Sequence, residues 1–378
     1  MSIYDEIGIP RIINASGSMT YLGGSLMAPE VRQAMDQAAQ AFVPIDQLMA
    51  WAGSEIARHT GAEAGLVTTG TAGGLLLAGA ACITGQDRQR MLKLPDTKGL
   101  KNEIIVQKPH RISFEQAVRS SGAQMVEIGA TSPQVEELEA AFTQRTAAVL
   151  HMVLDPQPVL PLGQVIEIAH ARNVPVIVDA AAELPPVANL KAFVEAGADL
   201  VIFSGGKEIS GPNDSGILCG RRELVEAAAL QAFPNAGIGR PLKVGKEQIV
   251  GLVYALRRFA GLDYNARLQN WRAVAEKMSD GLQGIAGAQA DVTYAIKGAR
   301  PISIPRTRLQ FDPARLGISP YDLAEGLEQA QWGGPAIALG STNKPPALWL
   351  NPQHLVDGEE DIVVEQVGRV LRELDGAV

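Results

Sequence analysis

The chain has 378 residues, 46% apolar and 20% charged, ordinary proportions for a soluble globular protein of about two domains. Its net charge of −8 leaves no basic surplus to neutralise phosphates, which argues against nucleic-acid binding. The two cysteines, Cys82 and Cys219, lie in apolar contexts without CxxC spacing and read as reduced, buried thiols of a cytoplasmic protein.

The opening MSIYDEIGIPRIINASG lacks a basic stretch followed by an apolar one, so it is not read as a signal peptide. Residues 1–44 read as an irregular N-terminal arm. From Ala64 to Gly85 the chain carries no charge, but the Thr-Thr-Gly-Thr cluster and Gly73-Gly74 interrupt the run. It reads as a buried strand, a loop and a helix rather than a membrane span.

Apolar runs suited to strands follow at 65–69, 103–107, 124–129, 147–154, 174–179, 199–204 and 216–220. Amphipathic helical stretches lie between them: SFEQAVRSS, PQVEELEAAF, GQVIEIAHARN and NLKAFVEAGA. Doubly buried strands joined by helices predict an α/β domain with a mainly parallel sheet over 45–245. Beyond it, 246–378 is expected to form a smaller C-terminal α+β domain, entered through long helices and closed by EEDIVVEQVGRVLRELDG.

In an α/β sheet, ligands gather at the carboxyl ends of strands. Two polar residues stand at such ends. VPVIVD closes on Asp179, and DLVIFS closes on Ser204, with Gly-Gly and then Lys207 beyond it. An acid after one buried strand and a lysine after the next is the pairing pyridoxal 5'-phosphate (PLP) requires. The amine forms a Schiff base with the aldehyde, and the carboxylate keeps the pyridine nitrogen protonated. Apart from that pairing, Lys207 reads as an exposed loop lysine and Asp179 as a helix cap.

The phosphate needs donors. TTGTAGG joins a strand to a helix start, so the backbone of Gly70, Thr71 and Ala72 offers an anion seat, with Ser204 donating from the other side. Alone, a Gly-Thr turn is ordinary turn chemistry. His110 follows the EIIVQKP strand and is placed against the cofactor face, with a polar loop histidine as the alternative. His151 reads as a core histidine. Asp155 and Gln157 are candidates to bond the ring hydroxyl. Arg240, Lys243 and Lys246 cluster before a helix, and arginine grips carboxylate or phosphate bidentately. The bland reading of that cluster is a solvated linker. No metal site is read in the sequence.

The blocks IINASGSMTYLGGS, GAEAGLVTTGTAGGLLLAGAAC, VPVIVDAAAELPPVANL, GADLVIFSGGKEISGP and GRPLKVGKEQIVGL together resemble the selenocysteine synthase-like family of fold type I PLP enzymes. The D-glucosaminate-6-phosphate ammonia-lyase branch is the nearer one. The selenium transferases of this family carry an extra N-terminal RNA-binding portion, whereas here the shared blocks begin by residue 12. The resemblance implies an aspartate aminotransferase-like fold, Lys207 as the Schiff-base lysine and Asp179 as the pyridine partner. It further implies a phosphate seat at Thr71 and Ser204, and a substrate side drawing on Arg240, Lys246, Asn14 and Thr20. Two segments depart from the family pattern, EISGPNDSG after Lys207 and WGGPAIAL near the C-terminus.

The function implied is a PLP-dependent lyase acting on a hydroxylated or phosphorylated amino acid. α-Proton abstraction and β-elimination then give a 2-oxo acid and ammonia. The same carbanion serves a racemase, an epimerase or an aldolase, and a non-catalytic PLP-binding protein is a further alternative. Ser204-Gly-Gly-Lys207 formally matches the S-x-x-K of Ser–Lys hydrolases, but the S-D-N and K-T-G companions are absent. The expected partners are a small anionic amino-acid substrate and a second copy of the chain, with no nucleic acid and no membrane.

Overall fold

The computed structural model describes residues 2–130, 132–153, 158–285, 287–297 and 300–376. In chain order its strands are β1 (Ile12–Ala15), β2 (Ala64–Thr69), β3 (Glu103–Gln107), β4 (Gln124–Ile128), β5 (Thr146–Met152), β6 (Val176–Asp179), β7 (Leu200–Ser204), β8 (Ser215–Gly220), β9 (Ala288–Lys297), β10 (Arg300–Phe311), β11 (Ala336–Asn343) and β12 (Pro346–Leu350). The chain divides into two compact units. One is built on Gly24–Leu262, and the other on Met1–Gly23, Asp263–Ile296 and Arg300–Val378.

The large unit holds a seven-stranded sheet in the order β2-β8-β7-β6-β5-β3-β4. β3, β4, β5, β6 and β7 pair in parallel, while β8 runs antiparallel to both β7 and β2. β2 therefore points the same way as the parallel strands, and six carboxyl ends share one edge. Every residue of β5 and β6 is buried, because helices cover both faces. On one face Val149, Val178, Val201 and Phe203 pack with residues of helices Ile45–Thr60 and Lys246–Ala260. On the other, Leu150, Ile177, Ile202 and Leu218 pack with helix Gly70–Thr84. That helix is apolar on all sides since the sheet and its neighbours enclose it, and Gly74 lets it approach Ile202. Its 15 residues span about 22 Å, short of a bilayer's hydrocarbon core. No helix among the described residues is long and apolar enough to cross a membrane.

The smaller unit carries a five-stranded sheet in the order β1-β11-β12-β10-β9. Leu309, Phe311, Ile337, Leu339, Leu348 and Leu350 point to one face, against Met278, Leu323, Leu327, Val363 and Val367 of three helices. Alternate residues of the same strands leave the opposite face.

Two sequence expectations are corrected here. The division expected at 245/246 falls after Leu262, because helix Lys246–Ala260 puts Ile249, Leu252, Val253, Leu256 and Phe259 into the large core. The N-terminal 44 residues are not an irregular arm either. β1 pairs in parallel with β11 from Ile12↔Ala336 to Ala15↔Leu339 and belongs to the smaller unit. Helix Pro29–Ala39 buries Val31 and Ala34 in the large one.

Phe259, 1% exposed, anchors the helix that ends the large unit. Phe259→Ala is expected to destabilise that unit by about 3–5 kcal/mol, read as a lowered denaturant midpoint of its unfolding. A change below about 1 kcal/mol would return the helix to the smaller unit.

Candidate functional site

β2 passes into helix Gly70–Thr84 without a loop. Gly70 takes φ +60°, which an L side chain rarely adopts. Thr68 Oγ1 donates to the Gly70 carbonyl at 2.9 Å, and Thr69 Oγ1 to the Leu242 carbonyl at 2.9 Å. These hydroxyls fix the turn and tie it to the 237–245 segment. A Cβ on Gly216 of β8 would lie 2.5 Å from the Gly70 carbonyl oxygen, so only glycine fits beside the turn. No side chain caps the helix, while Thr71 is half-buried and Ala72 exposed. The first-turn amides of a 15-residue helix thus form an electropositive seat.

The register brings the other groups to the same face. Asp179 lies opposite Ile202 on β7 and Met152 on β5. Ser204 lies opposite Gly216, which lies opposite Thr68. Asp179, Ile202 and Ser204 leave the face covered by helix Gly70–Thr84. With strands about 4.8 Å apart and about 3.3 Å per residue, the seat lies two strand positions from Ser204, and Ser204 lies one strand position from Asp179. Asp179 is 7% exposed, and its Oδ1 accepts the Ala181 N–H at 3.0 Å. No helix starts there, since the next begins at Asn189, so Asp179 closes a local turn and caps no helix.

Lys207 is half-buried in the turn beyond β7. Gly205 N–H donates to the Ser215 carbonyl at 2.9 Å, Gly211 N–H to the Gly205 carbonyl at 2.8 Å, and Ser210 N–H to the Lys207 carbonyl at 2.9 Å. A Cβ on Gly206 would meet the Asn213 carbonyl oxygen at 2.9 Å. The two glycines before Lys207 therefore serve the returning 211–215 chain, which packs directly on them.

His110 is 1% exposed and sits edge-on to His151, ring centroids 4.6 Å apart. Its Nδ1 accepts the Met152 N–H at 3.4 Å, which assigns the proton to Nε2, a buried atom with no partner among the described residues. Burial pushes its pKa down to about 4, so the ring is neutral near pH 7. His110 is therefore a buried group, not a polar loop histidine, and His151 is buried as expected. Asp155 and Gln157 lie outside the described residues.

The basic cluster separates. Arg240 is exposed, its guanidinium 5.0 Å from the Phe233 ring centroid, and Lys243 shares that ring at 5.6 Å. Lys246 Nζ donates to the Ala38 carbonyl and to Glu247 Oε1, each at 2.6 Å, which fastens helix Pro29–Ala39. Asn14 and Thr20 belong to the smaller unit. Asn14 Oδ1 accepts the N–H groups of Ser16 and Gly17, and its Nδ2 donates to the Gly17 carbonyl at 2.8 Å. Thr20 is exposed at the start of a short turn. Sequence reasoning passed over Thr68 and Thr69, although the doubled threonine before Gly-Thr was the available signal. Burial pushes both cysteine thiols up to about 12, so neither is a nucleophile near neutral pH. No cluster of metal-binding side chains occurs among the described residues.

Comparison with known proteins places this geometry. Residues 12–279 match the family described as L-seryl-tRNA selenium transferase. The chain is 34% identical to D-glucosaminate-6-phosphate ammonia lyase of Salmonella typhimurium, over 98% of each protein. It is 35% identical to 5'-C-glycyluridine monooxygenase-decarboxylase of a Streptomyces species, over 99% of this chain and 93% of that one. A solved structure of D-glucosaminate-6-phosphate ammonia-lyase superposes with a TM-score of 0.85 at 33% identity, covering 99% of both chains. Serine palmitoyltransferase of Sphingomonas wittichii, at 15% identity and TM-score 0.59, shares the fold.

Because the folded pKa of His110 lies below the unfolded value of about 6.5, the folded state binds its proton less readily. The stability this neutral ring permits is complete above pH 6.5 and is lost as pH falls through about 4. The melting temperature of wild type minus that of His110→Phe should therefore decrease from pH 7 to pH 4. A difference independent of pH would contradict the buried neutral imidazole.

Proposed function

Because the chain belongs to the L-seryl-tRNA selenium transferase family, we propose that this enzyme is a PLP-dependent ammonia-lyase. Its substrate is a hydroxylated or phosphorylated amino acid. The observation that carries this reading is the end-to-end likeness, in sequence and in shape, to an ammonia lyase. An acid closing one strand of the large unit and a lysine in the turn beyond the next strand support it.

The residues present fit the cofactor. The uncapped amides at Thr71 and Ala72, with the Ser204 hydroxyl, would hold its phosphate. Asp179, buried on the same face, would hold the proton on the pyridine nitrogen. His110, with its buried and unpartnered Nε2, would lie against the ring. Bound PLP supplies an electrophilic aldehyde and a ring that spreads the charge left at the substrate's α-carbon. Lys207 would anchor the cofactor through Nζ and, with its amine freed, would take the α-proton on Nζ and deliver it to the departing β-hydroxyl. Loss of the β-hydroxyl as water leaves an enamine, and its hydrolysis releases the 2-oxo acid and ammonia. Arg240, exposed beside Phe233, is the basic residue of its segment suited to an anionic substrate, since Lys246 is fastened to Ala38 and Glu247.

The 35% relative named as a monooxygenase-decarboxylase supports a second reading, oxygen-dependent loss of the substrate carboxyl group. Oxygen uptake with carbon dioxide release, in place of ammonia from a β-hydroxy amino acid, would select it.

The cytoplasm suits two free thiols, Cys219 buried and Cys82 half-buried, both pushed up in pKa by their surroundings. A homo-oligomer is supported by apolar side chains left in water: Ile3, Tyr4, Ile7, Leu26 and Phe42, the last fully exposed.

Assay of ammonia and 2-oxo acid from D-glucosaminate 6-phosphate and from simpler β-hydroxy amino acids tests the reaction. Lys207→Ala should lower turnover by at least about 10³-fold with the circular dichroism spectrum unchanged. Retained turnover would remove Lys207 from the chemistry. Sedimentation analysis should give at least a dimer, and Phe42→Glu should shift it toward monomer. A wild-type monomer at micromolar concentration would reject the assembly.

A further inference from the structure

The smaller unit holds a positive charge that no carboxylate among the described residues neutralises. β10 carries Arg306 and Arg308 two residues apart, so both leave the same face of the sheet. Arg308 is neutralised bidentately: its Nε donates to Asp291 Oδ1 at 2.9 Å and its Nη2 to Oδ2 at 2.6 Å. Arg306 has no carboxylate beside it among the described residues. Its Nε is sealed from water and has no hydrogen-bond acceptor. Burial alone pushes its pKa down, with no carboxylate pushing it back up. Arginine does not give up its proton in proteins, so a buried guanidinium calls for an anion.

The register shows where that anion would lie. Thr307 points to the helix-covered face, its Oγ1 donating to the Ala275 carbonyl at 2.7 Å. Arg306 therefore leaves the opposite face. Thr307 lies opposite Leu350, so one step further Arg306 stands opposite Asn351, at the end of β12. Asn14 leaves the same face of β1, since Ala15 beside it belongs to the helix-side core. Asn351 Oδ1 accepts the Gln353 N–H at 2.9 Å, and Asn14 is held by Ser16 and Gly17, so both amides are fixed. Asn14, Asn351 and Arg306 thus stand in one row on the face opposite the helix-side core, with the buried Ala338 and Ile304 beside them.

We propose that Arg306 anchors an oxyanion-binding subsite on this face, built for a carboxylate or phosphate group of the substrate. The subsite stands on the smaller unit's own geometry, and only the origin of its anion rests on the lyase reading.

Inorganic phosphate, titrated into the holoenzyme at constant ionic strength, tests it by thermal melting. The bound cofactor already fills the helix seat. Wild type and Arg308→Met should show a saturable rise in melting temperature. Arg306→Met should melt no lower than wild type in phosphate-free buffer, because it removes an uncompensated buried charge. Its phosphate response should be weakened at least tenfold. Arg306→Lys keeps the charge but loses the fork and should be weakened similarly. Phosphate binding by Arg306→Met within twofold of wild type would overturn the proposal.

Michaelis constants then separate the two sources. A rise for D-glucosaminate 6-phosphate alone puts its phosphate at Arg306. An equal rise for the unphosphorylated acid puts the carboxylate there, and no rise for either overturns the link to substrate. An enzyme that releases ammonia from neither compound refutes the lyase reading, and the phosphate titration then decides the subsite.

Discussion

A carboxylate at the carboxyl end of a strand buried on both faces is tolerable only beside a cation or a close set of donors. Asp179 is such a carboxylate, and its position governs the architecture around it. The strand must be parallel and central, so that helices can cover both faces. The strand beside it must end level with it, so that Ser204 and then Lys207 emerge on the same edge. The helix after β2 must begin without a cap, so that its amides remain available. The large unit is one answer to those three demands.

Much of this was legible because burial on both faces writes itself into the sequence as uninterrupted apolar runs. The strand ending at Asp179 and the strand ending at Ser204 could be read to their last residues, since a polar residue closes each run. The passage from strand to helix at Gly70 and Thr71 was legible through the glycine and threonines that break the apolar run. The role of Gly205 and Gly206 was not, because it depends on Asn213 and Ser215 returning over them, a contact between segments that no local pattern records. Lys246 looked like a substrate residue because charge composition does not say which carbonyl an amine will meet, and it meets Ala38. The division between units was misplaced because an amphipathic helix announces an apolar face without saying which core receives it. Asp155 and Gln157 lie outside the described residues, so their reading stands as an expectation.

Two relatives of nearly equal identity carry names for different reactions, an ammonia lyase and a monooxygenase-decarboxylase. An electron sink of the kind proposed for this chain would allow both. Once charge at the α-carbon is stabilised, the bond that breaks depends on how the substrate is gripped, and the gripping groups lie outside the acid–lysine core. A guanidinium with no carboxylate beside it among the described residues is therefore more informative about substrate than the proposed acid–lysine pair. Arg306 stands out because Arg308, two residues away on the same strand, already has its acid.

The parallel pairing of β1 with β11 joins residues more than three hundred positions apart. A ribosome delivers β1 more than three hundred residues before β11. Gly24–Leu262 can collapse on its own core while synthesis continues, but β1 has to wait, unpaired, for a partner that emerges only after that whole unit. The edge of the smaller sheet thus closes only after β11 has emerged, and a nascent fragment that stops short of it exposes a strand ready to pair with the wrong neighbour.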